Sequence, residues 1–104
     1  MCKANQEKHG PASSVQALVH ALHCPSRWKI IEFLGEGKRG TREIYHHLLE
    51  TGERLTPSGL YYHLSALAKA GIIELDEYRE KGGGAPEKIW RLRTTTLTID
   101  LIRK

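Results

Sequence analysis

Cysteine is nearly missing from this 104-residue chain. Only Cys2 and Cys24 are present, too few for a disulfide scaffold, and no basic-then-apolar leader opens the sequence, so the cytoplasm is the expected compartment. Long apolar runs are missing as well. Nothing approaches the ~20 residues that span a bilayer, which excludes a transmembrane role. No Ser/His/Asp or paired-carboxylate spacing stands out, and the one glycine run, Gly82 to Gly84, does not open a helix as a phosphate-binding loop would. An enzyme is not expected, and no cofactor is implied. The most telling absence is local: the chain carries 12 acidic residues, yet none lies between Thr56 and Ala70.

What is present points to one domain. Lys and Arg number 16 against those 12 acids, a formal +4 that mildly favours a polyanionic partner. Residues 1–12, polar with Gly10 and Pro11 near their end, read as a tail. From Ser13 onward, Val15, Leu18, Val19 and Leu22 recur at helical spacing, with Ser13 or Ser14 as cap. Pro25 then suits the first turn of a second helix with Ile30, Ile31 and Leu34 inward, ended by Gly35 and Gly37. Thr41 is the expected cap of a third helix, TREIYHHLLE, with Ile44 and Leu48 inward beside either Tyr45 or Leu49. The fourth, LTPSGLYYHLSALAKAG, has a complete start in Thr56 and Pro57 and a stop in Gly71.

Beyond it the period changes from helix to strand. IIELDEY and KIWRLR alternate around REKGGGAPE, which predicts an antiparallel hairpin with a glycine-rich tip. The fold class is therefore α+β, mainly α: four helices followed by a two-stranded wing. The domain spans 13–93. Residues 94–104 form a C-terminal segment, TTTLTIDLIRK, that fits either a helix face or a strand and is a candidate dimerisation element.

On a helical wheel Leu60, Leu64 and Leu67 form the inward face of the fourth helix, with Ala68 beside them. Opposite lie Ser58, Tyr62, Ser65 and Lys69, flanked by Gly59 and Ala66, with Tyr61 and His63 at the borders. A plain surface helix would fill that face with glutamate–lysine pairs. Hydroxyls, a tyrosine, a lysine and small residues instead suit a helix that lies in a DNA groove.

Set after TREIYHHLLE and a short turn, this helix completes a helix-turn-helix, and the hairpin behind it makes the arrangement winged. At this point the chain resembles the ArsR-type winged-helix repressors, and more broadly MarR-like and PadR-like regulators. The resemblance runs from about Ala21 to Leu92. It is carried by CPSRWKIIEFLGEG, by GTREIYHHL, by YYHLSALAKAGII, with Tyr61 where serine is common in the family, and by KIWRL. It implies a sequence-specific regulator of double-stranded DNA, a repressor, with residues 56–70 as recognition helix and 79–88 as wing, and apolar residues in the flanking segments, Val15 to Leu22 and Leu97 to Ile102, make a homodimer the expected state. Ser58, Gly59, Tyr61, Tyr62 and Ser65 then become groove contacts, and Thr56, Lys69 and Arg42 phosphate contacts. His63 is either a DNA contact or a hydrogen-bonding group within the fold.

In the wing, Arg79, Lys81 and Lys88 surround the glycines as cations for the minor groove or backbone, diluted by Glu77, Glu80 and Glu87. The family's metal sites do not carry over, because the third helix lacks cysteine and the C-terminal segment lacks histidine. What remains for a metal is His20, His23 and Cys24, with Cys2 and His9 in the tail, and for redox chemistry a Cys2–Cys24 pair. A protein-docking module without DNA readout is the competing reading.

Overall fold

The computed structural model of the protein describes residues 14–80, 82–98 and 102. Four helices, α1 (Ser14–Leu22), α2 (Pro25–Leu34), α3 (Thr41–Glu50) and α4 (Pro57–Lys69), pack beside a sheet of β1 (Lys38–Gly40), β2 (Ile73–Arg79) and β3 (Glu87–Leu92). The tail, its Cys2 and His9, and Lys81 lie outside the described residues, as do Ile99, Asp100 and Leu101 of the C-terminal segment. Among the described residues, no helix is long and apolar enough to cross a membrane.

The helices form where local signals place them. Pro25 occupies the first turn of α2, and Thr56 caps α4 by accepting the Gly59 amide at 3.0 Å. Both α3 and α4 end in a glycine at positive φ, Gly52 at 95° and Gly71 at 79°. The amides that follow turn back onto the last carbonyls: Glu53 onto Leu48 and Ile72 onto Leu67, each at 3.0 Å. A side chain at either glycine would strain that reversal. Ala21, Ile30, Leu34, Ile44, Leu48, Leu60, Leu64, Leu67, Ile72, Ile73 and Trp90 fuse into one core. Tyr45 rather than Leu49 completes the inward face of α3, and its hydroxyl donates to the Leu55 carbonyl at 3.2 Å.

Several expectations need correction. The hairpin is part of a three-stranded sheet, because Lys38, Arg39 and Gly40 pair antiparallel with Arg91, Trp90 and Ile89 in the order β1-β3-β2. Three residues of Lys-Arg-Gly show no alternation, so that strand exists only through its partner. The ladder between β2 and β3 slips between Leu75 and Glu77, a bulge at Asp76 that breaks the alternation read from the sequence and leaves Leu75 exposed. In α1, Val19 faces outward and Ala21 is the residue sealed in the core. Residues 94–98 form neither helix nor strand.

Thr41 is not the cap of α3 but its first residue. Its hydroxyl donates to the Lys88 carbonyl and accepts from the Trp90 indole, both at 3.0 Å. The capping is done from a distance: the Glu87 carboxylate of β3 accepts the Arg42 amide at 2.8 Å, while Glu43 reaches back to the Gly40 amide at 2.8 Å. Glu87 can approach because residue 40 has no side chain, since a Cβ there would collide with its carboxylate oxygen. That clash is with a movable group, so its cost is the lost cap rather than strain. Gly40→Ala and Glu87→Ala should each destabilise the fold by about 1 kcal/mol, the usual worth of an N-cap. Together they should cost little more than either alone. Urea denaturation of the three variants checks this, and fully additive losses would refute the shared cap.

Candidate nucleic-acid interface

Beneath α4 lies a buried cation. Arg27 of α2 is 1% exposed, and its Nε donates to Nδ1 of His63 at 2.9 Å. Its Nη1 donates to the carbonyls of His20 and Ala21 at the end of α1, at 3.1 and 3.4 Å. No carboxylate pairs with it among the described residues; the carbonyl end of α1, the negative pole of a helix, compensates the charge instead. His63 thus serves within the fold. Burial, and then the Arg27 charge, hold its pKa below the ordinary imidazole value, against a weaker pull from Glu53. At neutral pH it is the acceptor Arg27 needs.

This anchor sets which residues α4 turns outward. Thr56, Ser58 and Lys69 are exposed, while Gly59 and Ser65 are half-buried. The two tyrosines exchange the places the wheel gave them: Tyr61 is 50% exposed, while Tyr62 lies half-buried with its ring centroid 5.3 Å from the Arg27 guanidinium. A wheel registers one buried face only, and here α2 approaches the flank of α4 as well. Across from the helix, Lys88 of β3 donates to the Tyr61 hydroxyl at 3.1 Å and sits 5.1 Å from its ring centroid. That hydrogen bond holds the Lys88 ammonium above its ordinary pKa range.

Two sets of the remaining cations differ in their partners. On the sheet, Lys38 meets Asp76 and Glu77, Arg79 meets Glu77, and Arg91 meets Glu74 and Asp76, at 2.6 to 3.6 Å. Arg79, one of the expected wing cations, is therefore neutralised by its neighbour. Around the helix-turn-helix the pattern differs. Arg42 at the start of α3, Arg54 in the turn and Lys69 at the end of α4 are exposed, and their side chains pair with no acid among the described residues. Arg54 is an addition to the residues expected from the sequence. Its neighbour Glu53 is taken up by Ser26 at 2.6 Å and Lys29 at 2.7 Å, which pin the turn to α2. The wing tip presents Gly82, Gly83 and Gly84 to solvent.

Helix, helix, strand, helix, helix and a two-stranded hairpin, with α4 lying across from the hairpin, settle the architecture. The fold is a winged helix. It is similar to a possible transcriptional regulatory protein from Mycobacterium bovis, with TM-score 0.62 and 21% identity over 78% of this chain and 75% of that one. HlyU from Vibrio cholerae matches with TM-score 0.58 and 21% identity, over 79% and 77%. The ferric uptake regulator of V. cholerae, a protein with DNA-binding domains, matches with TM-score 0.56 and 25% identity, over 79% of this chain and 63% of that one. No protein-family model matches the chain, and no curated protein does.

Among the described residues of this winged helix, no group of three or more His, Cys, Asp or Glu is placed to hold a metal. His20 and His23 lie with ring centroids 5.8 Å apart, His23 Nδ1 is bonded to the His20 carbonyl at 2.9 Å, and Cys24 is buried.

The anchor has a pH signature. Because the folded state lowers the affinity of His63 for a proton, the unfolded chain binds more protons below the ordinary value of 6.5. Stability should be full above that pH and fall as pH drops beneath it. Urea midpoints measured at pH 7.5 and 5.5 should differ for the natural protein, and much less for His63→Gln, which keeps an acceptor but not the titration. Equal drops in both would place the effect elsewhere.

Proposed function

We propose that this protein is a transcriptional regulator of the ArsR-like winged-helix kind that binds double-stranded DNA sequence-specifically as a homodimeric repressor. The observation that carries the reading is the outward face of α4. It offers Ser58, Gly59, Tyr61 and Ser65, with the half-buried Tyr62 at its edge and no acid among them, and is bordered by Arg42, Arg54, Thr56, Lys69 and Lys88. Small and hydroxyl-bearing residues let a helix approach base edges, while unneutralised cations at its margins meet the phosphates on either side. The regulators and DNA-binding domains among the similar structures support the same use of the fold. In the wing Lys81 is a secondary backbone contact, and Arg79 joins it by exchanging Glu77 for a phosphate.

A homodimer is supported by exposed apolar residues outside α4: Val19, Trp28, Leu97 and Ile102, at 42–72%. Leu22, Trp28, Ile31 and Leu97 also line an apolar groove of about 260 Å³. A second copy covering that groove would give a two-fold dimer, and helix-turn-helix dimers read half-sites about one DNA turn apart, roughly 34 Å.

Fluorescence anisotropy against mixed-sequence duplex DNA tests the first part. Binding should weaken steeply with salt, and Lys69→Ala and Arg42→Ala should each lower the log–log salt slope by about 1 per chain. No binding at low salt would leave α4 and the wing as a protein-docking surface. Sedimentation tests the second part: dimer at micromolar concentration, and monomer for Trp28→Glu. A natural protein that stays monomeric on its own and on DNA would overturn it.

A further inference from the structure

Tyr61 occupies a position that its neighbour constrains chemically. A free tyrosine hydroxyl is ambivalent, since it donates one hydrogen bond and accepts another and so pairs equally with a donor or an acceptor on a base. Lys88 removes half of that choice. Its ammonium can only donate, and it lies 3.1 Å from the Tyr61 oxygen, so that oxygen is the acceptor and only the phenolic proton is left to offer outward. Lys88 is itself held on a regular element. Its Cα pairs with Tyr78 in the ladder, and its carbonyl accepts from Thr41 at 3.0 Å. The hydroxyl it grips belongs to a residue in the second turn of α4, half exposed on the side facing the wing.

We infer that Tyr61 is a specificity-determining residue that reads a hydrogen-bond acceptor on a base edge, and that Lys88 makes it a donor. This rests on the DNA-binding reading above. In the major groove guanine, adenine and thymine each present an acceptor, whereas cytosine presents only its amino donor. The position facing Tyr61 therefore rejects cytosine. Lys88 acts here through Tyr61, in addition to whatever charge it brings to the backbone, and it is a positioning residue for the hydrogen bond.

Selection of binding sites from a random duplex library, run with the natural protein, Tyr61→Phe and Lys88→Met, tests this. The natural protein should show one position per half-site at which cytosine is depleted about tenfold, the discrimination typical of a well-placed base contact. Tyr61→Phe should lose that depletion and keep the preferences at every other position. Lys88→Met, with its tyrosine intact, should lose it too, because the released oxygen can accept from cytosine; loss of a phosphate contact alone would weaken all sites equally and leave the preference in place. Unchanged preferences in either variant, or uniform weakening of all sites by Tyr61→Phe as for a phosphate contact, would overturn the inference while leaving DNA binding standing. Failure of the natural protein to select any site, with no binding at low salt, would overturn both.

Discussion

A guanidinium sealed in the interior has to be compensated wherever it goes, and the packing of this protein is arranged around that need. Arg27 reaches the end of α1 with one nitrogen and His63 of α4 with another, so three helices meet on one planar group. The usual partner, a carboxylate, would have brought a second desolvation cost with it. A neutral imidazole and helix-end carbonyls avoid that, on condition that the imidazole stays neutral. The position of α4, and with it the direction of every outward side chain, follows from that contact.

Much of the fold was legible in the sequence because its signals are local. Thr56, Pro57, the leucine spacing and Gly71 define α4 within some 16 residues, and the cap at Thr56 and the stop at Gly71 stand where they were expected. What stayed hidden joins residues far apart in the chain. Arg27 and His63 are 36 positions apart, and a lone arginine in a helix reads as solvent-facing. Glu87 caps a helix 45 residues before it, which leaves Thr41 to look like the cap. The strand β1 has no pattern of its own. The swap of Tyr61 and Tyr62 arose in the same way, since a helical wheel carries no information about Arg27 arriving from the side.

Charge is also distributed less evenly than a net +4 suggests. The sheet uses its acids to satisfy Lys38, Arg79 and Arg91, and Glu53 is drawn toward α2, so none of these acids pairs with the cations that border α4. A moderate overall charge can thus coexist with a face whose local field is distinctly positive.

The order β1-β3-β2 puts the returning strand of the hairpin in the middle of the sheet. Within four consecutive residues, β3 holds the N-terminus of α3 through Glu87, the first tyrosine of α4 through Lys88, and Thr41 through Trp90. The glycine-rich tip is thus mounted on a stiff lever whose short arm ends among both helices of the helix-turn-helix. A push on the tip would therefore bear on α3 and α4 through those contacts instead of being dissipated in a loose loop.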